Sequence, residues 1–217
     1  MRGFVRFSRR AGLTLGAMLL AGTVTAAPAP ETMQVVTPVF SQLVGYSVPG
    51  NFVPAAENSN ADQYIQELVL SGQTAQSWTQ MITLTGIKGL AANPNATPQA
   101  LALRIGGGFQ QACPTSFQGT SFGEIKLSGH DAFALVVSCG TADASGKPFS
   151  ETALVIVIKG QADYYTLQWA ERSAASKTPI AFDEAKWTGR FKALSPIKLC
   201  AKVAGEAPPF PSCANRK

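Results

Sequence analysis

The sequence predicts an α+β domain in which an antiparallel β-sheet is flanked by helices. Three observations support this fold class. Short apolar or alternating runs, separated by turn residues, occupy residues 117–172 and are typical of an antiparallel meander. Two Thr-Pro pairs, one on each side of those runs, precede apolar residues at helical spacing. The first 26 residues have the composition of an export signal, so the domain is expected to begin after them.

The N-terminal segment has the three parts of a cleavable signal peptide. A basic head, MRGFVRFSRR, precedes an apolar run of about 12 residues, whereas a transmembrane helix needs about 20. The residues VTA predict cleavage after Ala26; cleavage after Ala27 fits nearly as well, and no nearby cysteine favours a lipoprotein. Residues 8–13 also resemble a twin-arginine signal, but Gly12 stands where that signal has an apolar residue, so an ordinary basic head is preferred. We therefore expect a periplasmic protein whose mature chain has no transmembrane segment.

Removal of this signal changes the charge of the chain. The 18 Lys and Arg and 13 Asp and Glu of the full sequence become 14 and 13 when the four signal arginines leave, a net charge of +1. The remaining lysines are scattered rather than clustered, which excludes a nucleic-acid-binding surface. We predict a signal peptide over residues 1–26, a single α+β domain over residues 27–199, and a C-terminal tail over residues 200–217.

The four cysteines of an exported chain predict disulfides. Three pairings are possible. Cys200 and Cys213 enclose the Pro-rich tail, and a local bridge there would reduce the entropy of the unfolded chain, worth roughly 3 kcal/mol. The expected partners are then Cys113 and Cys139. A zinc site is the alternative, but the chain has no CxxC pair and a single histidine, so no metal site is predicted.

The first part of the mature chain is predicted to contain a hairpin. Residues 31–50 are interpreted as a first strand or a loop, and the polar residues 51–62 as a loop. Residues 64–70 and 78–85 are rich in β-branched and aromatic residues and are expected to pair as two antiparallel strands.

A helix is predicted over residues 97–112. Thr97 is a suitable N-cap, and Pro98 suits the first helical position. Residues 106–108 are three consecutive glycines, each of which costs about 1 kcal/mol in a helix relative to alanine. A phosphate-binding loop would need a following Lys-Ser/Thr, or a GxGxxG directly after a strand, and neither is present. Close packing of the helix on the sheet, or a local kink, is therefore expected.

The second part of the chain predicts a four-stranded meander and a closing helix. The four strands are residues 121–127, 132–139, 152–159 and 164–172. The third strand is almost wholly apolar, which is typical of a central strand covered on both faces. The closing helix is expected to begin near Thr178-Pro179 and to end at Ser195-Pro196.

The order of these elements resembles a known group. From Gly129 to Leu194 the chain has a Gly-His-Asp-Ala-Phe turn, the strand TALVIVIK, the turn KGQAD, the strand YYTLQWAER and the helix FDEAKWTGRFKAL. This order is similar to that of the PsbP-like group, named for an extrinsic photosystem II protein and shared by bacterial envelope proteins. The resemblance implies an antiparallel sheet between helices, in an α/β/α sandwich, and a binding or assembly role without enzymatic activity. It carries no functional residue onto this chain.

A recognition patch is the main candidate site. Tyr164, Gln168 and Arg172 alternate on one face of a predicted strand, and Trp78 is expected nearby if the sheet closes. Aromatic residues with an arginine are typical of protein-binding surfaces. The alternative is that the tryptophans of the chain, Trp78, Trp169 and Trp187, only fill the core.

No catalytic residue or cofactor is predicted. His130 lies beside Asp131 and near Ser128, but adjacent turn residues rarely form the hydrogen-bonded chain of a triad, and no GxSxG is present. Glu67, Glu124 and Glu151 are candidates for a glycosidase pair, which needs two carboxylates at a set distance, but isolated glutamates on a sheet are usually solvated and no such pair is predicted. The predicted function is therefore a non-enzymatic periplasmic binding or accessory protein with a periplasmic or envelope protein as partner. The alternatives are a cell-envelope hydrolase using His130 and an inhibitor or immunity-type protein that binds one partner.

Overall fold

A computed structural model describes residues 31–144 and 146–214, and the predicted signal peptide lies outside the described residues. Ten strands and three helices follow one another in the described chain, with a 3₁₀ turn at Leu90–Ala92. The elements are β1 Thr32–Val39, β2 Gln42–Pro49, β3 Phe52–Ser59, β4 Gln63–Leu70, β5 Gln80–Ile87, α1 Pro98–Ala112, β6 Phe117–Leu127, β7 His130–Ala144, β8 Lys147–Lys159, β9 Tyr164–Ala174, α2 Glu184–Leu194, β10 Lys198–Ala201 and α3 Pro211–Ala214.

The strands form two antiparallel sheets. The large sheet has seven strands in the order β3-β4-β5-β9-β8-β7-β6, and the small sheet has the order β1-β2-β10. Helix α1 packs on one face of the large sheet, mainly against β7 and β8. The small sheet and α2 pack on the opposite face. The large sheet is therefore the middle layer of an α+β sandwich.

Two apolar cores result from this layering. Leu154, Ile156 and Ile158 of β8 point toward the small sheet and α2, where Trp169 and Trp187 also lie. Ala153, Val155 and Val157 point toward α1. Because β8 is covered on both faces, both sets of its side chains are apolar, and the expectation of a central strand is confirmed.

The fold class predicted from the sequence, an antiparallel sheet flanked by helices, is confirmed. The hairpin is β4 and β5, and the meander is β6 to β9. Helix α1 begins after Thr97, whose hydroxyl accepts a hydrogen bond from Ala100 N at 3.0 Å, as expected of an N-cap.

The predictions for three segments are wrong, and the strands β6, β7 and β8 are longer than predicted. Residues 31–50 are two paired strands, β1 and β2, rather than one strand or a loop. Residues 52–59 form β3 although they are polar, because β3 is an edge strand whose side chains are almost all exposed. The closing helix begins after Asp183 and not at Thr178-Pro179, because the Asp183 carboxylate accepts from Lys186 N at 2.9 Å and caps the helix there.

Both predicted disulfides are present. Cys113–Cys139 joins the end of α1 to β7, and Cys200–Cys213 joins β10 to α3. With all four cysteines in disulfides, the zinc alternative is excluded. Two disulfides indicate an oxidising, extracytoplasmic compartment. Within the described ranges, no helix is both long enough and apolar enough to cross a bilayer.

A buried carboxylate connects the two sheets. Asp163, in the turn before β9, accepts hydrogen bonds from Ser41 N at 3.0 Å and from Ser41 Oγ at 2.5 Å in the β1–β2 turn. It also accepts from Gly89 N at 2.8 Å and from the Tyr165 hydroxyl at 3.2 Å. Burial raises the pKa of this carboxyl, but the four donors outweigh burial and hold its pKa below the ordinary value.

The glycines of α1 occupy different environments. Gly106 is buried against β7, and a Cβ built there would lie 3.2 Å from Val137 Cγ1. Gly108 is exposed, and a Cβ built there meets nothing within 4 Å. Close packing of helix on sheet therefore explains Gly106 and does not explain Gly108.

We predict that Asp163→Asn lowers the free energy of unfolding at pH 7 by about 3 kcal/mol, because the amide cannot accept from all four donors and the carboxylate is buried. The folded-state pKa of Asp163 is lowered, so its stabilising contribution is complete above its unfolded pKa of about 3.9 and is lost as the pH falls through the folded-state value. Urea unfolding between pH 2 and pH 7 measures both effects. Asp62→Asn, at an exposed aspartate, is the control. A wild type whose acid dependence matches that of Asp163→Asn would contradict the prediction.

We predict different effects on stability for alanine at two glycines of α1. Gly108→Ala should stabilise the protein by about 0.5–1 kcal/mol through helix propensity alone. Gly106→Ala should be at least about 1 kcal/mol less stable than Gly108→Ala, because Val137 must move away from the new methyl group. Chemical denaturation of both variants measures the difference. Equal stabilisation by the two substitutions would show that the packing at Val137 imposes no constraint.

Candidate functional site

Half of one face of the large sheet is covered by no helix among the described residues. Helix α1 lies over β6, β7 and β8, and the strands beyond them present partly exposed side chains on the same face. We call this surface the open face and define it by Ile65, Glu67, Thr83, Thr85 and Gln168, which come from β4, β5 and β9. The strand register places these residues side by side, since Glu67 pairs with Thr83 and Thr83 pairs with Gln168.

A groove runs along the border between α1 and the open face. Its volume is about 380 Å³, its wall contains Leu101 and Ile105, and its floor contains Thr85, Thr166 and Gln168. The hydroxyls of Thr85 and Thr166 hydrogen-bond to each other across the two strands. The groove therefore has an apolar wall and a floor of hydroxyl and amide groups, without a charged side chain on that floor.

A stacked cluster closes one end of the open face. The Arg172 guanidinium lies between two aromatic rings, 3.7 Å from the Trp78 centroid and 4.1 Å from the Phe149 centroid. Arg172 Nε donates to Glu151 Oε2 at 2.8 Å. Arg172 and Glu151 are half-buried and directly opposed on β9 and β8. The structure therefore brings Trp78 to Arg172, as expected, and adds Phe149 and Glu151 to them.

Tyr164 does not belong to this surface, and its prediction as an exposed recognition residue is wrong. By the alternation of side chains along β9, Tyr164 lies on the same face of the sheet as Gln168 and Arg172. It is nevertheless fully buried, and its hydroxyl donates to Ala96 O at 2.5 Å. The segment leading into α1 crosses the start of β9 and covers the ring. Burial raises the pKa of Tyr164.

The residues around His130 do not form a catalytic chain. His130 Nδ1 lies 3.1 Å from Lys159 O, and the Ser128 hydroxyl donates to Ile197 O at 3.2 Å. Asp131 forms an ion pair with Lys126, which lowers the pKa of Asp131. Because each of the three side chains has a different partner, the nucleophile–base–carboxylate order of a triad is absent from this turn.

The candidate carboxylates lie apart. Glu67 is on β4 and Glu151 on β8, with β5 and β9 between them, so three strand spacings separate them by about 14 Å or more. Glu124 is on β6, at the far edge of the sheet. Glycosidase pairs need about 5–9.5 Å, so these carboxylates do not form such a pair.

Several residues of the site were not identified from the sequence. Phe149 lies before the segment predicted as a strand, and Thr83 and Thr85 are ordinary strand residues by composition. The register of β8 with β9, which opposes Glu151 to Arg172, is the information that would have identified the cluster. β8 and β9 form a hairpin, so their register follows from the turn that joins them, whereas the β5–β9 pairing, which brings Thr83 to Gln168, depends on the whole fold.

The fold and this site define an α+β sandwich with one half-covered sheet face. No protein-family model matches the chain, and no curated protein matches it either. Three solved structures are similar over about three quarters of the chain. A protein from Bacteroides thetaiotaomicron VPI-5482 has a TM-score of 0.35 at 12% identity, over 75% of this chain and 46% of its own, so the chain spans less than half of that protein.

The two other structures are covered more fully. A Pseudomonas aeruginosa protein of unknown function has a TM-score of 0.38 at 12% identity, over 75% of this chain and 96% of its own. The Ran-binding protein Mog1p of Saccharomyces cerevisiae has a TM-score of 0.40 at 10% identity, over 74% of this chain and 84% of its own. At these values the likenesses establish neither a family nor a function for this chain.

We predict that Arg172→Ala lowers the free energy of unfolding by about 1–2 kcal/mol, because it removes the stacking on two rings and leaves the half-buried Glu151 without its partner. Arg172→Lys should recover only part of this loss, since an ammonium cannot stack as a plane between Trp78 and Phe149. Urea titration followed by tryptophan fluorescence measures the change, with Arg104→Ala on the exposed side of α1 as the control. Wild-type stability in Arg172→Lys would show that only the charge is needed.

Proposed function

We propose that the processed chain is a non-enzymatic binding or accessory protein of the periplasm that holds a protein partner on its open face. The observation on which this proposal depends is the incomplete coverage of the large sheet. A face that carries Glu67, Thr83 and Gln168 in one row, beside a tryptophan–arginine cluster, is left without a covering element among the described residues.

The composition of this surface favours a protein as the partner. Tryptophan and arginine are enriched at the points of protein interfaces that contribute most to affinity, and here Trp78 and Arg172 are already held in one orientation. Threonine, glutamine and glutamate side chains around them offer hydrogen-bond donors and acceptors across several strands. A surface of this width suits a polypeptide better than a small molecule, which would occupy the groove beside α1 alone.

The compartment follows from two features of the chain. The N-terminal 26 residues have the pattern of a cleavable export signal, and two disulfides are typical of an oxidising compartment. Together they support a periplasmic location. A hydrolase using His130 is disfavoured, because that ring contacts a backbone carbonyl oxygen and not a nucleophile or a carboxylate.

Site-specific photo-crosslinking tests the proposal. A photoreactive amino acid is placed at Thr83, in the middle of the open face, and in a separate variant at Glu31, which is exposed outside it. Each variant is then irradiated in the presence of the proteins of its own periplasm. We expect a protein adduct of defined mass from position 83 and none from position 31.

Charge-reversal variants supply the second arm of the same test. Glu67→Arg should reduce the adduct from position 83 at least about tenfold, because it places a large opposite charge at the centre of the contact surface. Glu31→Arg is the matched control and should leave the adduct unchanged. Equal adducts from positions 83 and 31, or an adduct that Glu67→Arg does not weaken, would exclude the open face as the binding surface. A partner whose own activity falls on binding would identify the protein as an inhibitor.

A further inference from the structure

The large sheet ends in a long edge strand. β6 pairs only with β7, and along the outer side of β6 no other described segment donates or accepts a backbone hydrogen bond. The outer row of N–H and C=O groups is therefore available to another strand. β6 contains no proline that would interrupt such pairing.

The opposite edge of the sheet is different. β3 contains Pro54, and its register with β4 shifts between Pro54 and Ala56, both of which oppose the addition of a further strand. β6 also has a shift, between Ser121 and Gly123, but its register with β7 is regular from Gly123 to Leu127. The regular segment 123–127 is the part of the edge that a second strand can pair with.

The charges of this segment are complementary to themselves. Glu124 and Lys126 stand on either side of Ile125, and both point to the same face of the sheet. In an antiparallel pair centred on Ile125, a two-fold axis places Glu124 of each copy opposite Lys126 of the other. Opposite charges directly across two strands stabilise antiparallel pairing. Glu124 is exposed and has no ion pair within the described residues, whereas Lys126 is exposed and also contacts Asp131.

The other face of the same segment is apolar. An apolar groove lies between β6 and α2, lined by Phe122, Ile125, Ala134 and Phe191, with Lys192 at its rim. The two-fold pair would bring the grooves of both copies together, since Ile125 of each copy lies on the axis. Water would then be excluded from both sets of apolar side chains.

We propose that β6 is a self-association edge, through which two copies of this chain pair antiparallel about Ile125 and join their large sheets into one continuous sheet. The pairing uses segment 123–127 of each copy, opposes Glu124 to Lys126 twice, and covers the groove between β6 and α2. The interface lies at the opposite edge of the sheet from the open face, so it does not depend on the function proposed above.

Charge reversal tests this pairing in three steps. Sedimentation velocity of the processed chain over a concentration series should show a monomer–dimer equilibrium. Glu124→Lys should weaken the dimer at least about tenfold, because it opposes two positive charges at both symmetric positions. Lys126→Glu should weaken it similarly by opposing two negative charges. Lys88→Glu, at an exposed position outside β6, is the control and should leave the dimer unchanged.

Mixing the variants separates pairing from a general change in charge. The Glu124→Lys and Lys126→Glu chains are each self-repelling, but together they oppose unlike charges at both positions, so an equimolar mixture should form a heterodimer. Circular dichroism of each variant confirms that it is folded. A wild type that remains monomeric at every concentration, or a dimer that withstands both single substitutions, would overturn the proposal. A β6 edge that pairs only with a strand from a different protein would also overturn it.

Discussion

The buried carboxylate of Asp163 is the interaction that holds the two sheets in one arrangement. An ionised carboxylate removed from water is costly unless donors surround it, and here the donors come from three separated parts of the chain, Ser41, Gly89 and Tyr165. The β1–β2 turn can therefore lie in only one place relative to β9. Gln42 makes a second connection between the sheets, because its side-chain oxygen accepts a hydrogen bond at 2.9 Å from Gln161 N in the turn before β9. A side chain at position 160 would collide with Gln42 and with the Tyr165 ring, so the close approach of Gln42 to the turn before β9 requires a glycine there.

The position of the small sheet has consequences for the opposite face. β1, β2 and α2 cover one side of the large sheet along its middle strands, so the side chains there are apolar. On the other side, α1 is the one helix among the elements that the structure describes, and it packs mainly on β7 and β8. On that side, the strands β4, β5 and β9 therefore present polar side chains to solvent, among them Glu67, Thr83 and Gln168. Burying these polar groups without hydrogen-bond partners would cost free energy. The open face and its polar composition have the same cause, which is one helix on a sheet too wide for it.

Local patterns predicted those parts of the fold that local interactions determine. The cap of α1 at Thr97, the β4–β5 hairpin and the apolar β8 were identified from neighbouring residues alone. The errors occurred where distant contacts decide. β3 is polar and is a strand only because β4 lies beside it, and Tyr164 follows the alternation of exposed residues but is covered by a segment about 70 residues earlier in the chain. The same division holds for the site, since Arg172 and Trp78 were identified from the sequence, whereas Phe149 was not and Glu151 was considered only as a glycosidase carboxylate.

The disulfide at the end of α1, which needs an oxidising compartment, lies next to the stacked cluster of the candidate site. Cys113 follows the last residue of α1 and is bonded to Cys139 of β7, which pairs directly with Glu151 of β8. Glu151 in turn holds Arg172, so the covalent bond and the stacked cluster lie at the same end of the open face. At the other end, the buried Tyr164 hydroxyl donates to Ala96 O just before the helix begins. Helix α1, which forms the wall of the groove, is therefore attached to the sheet at both ends. A wall held in this way would lose little conformational entropy if a partner binds as proposed, and the disulfide that holds one of its ends is stable only in an oxidising compartment.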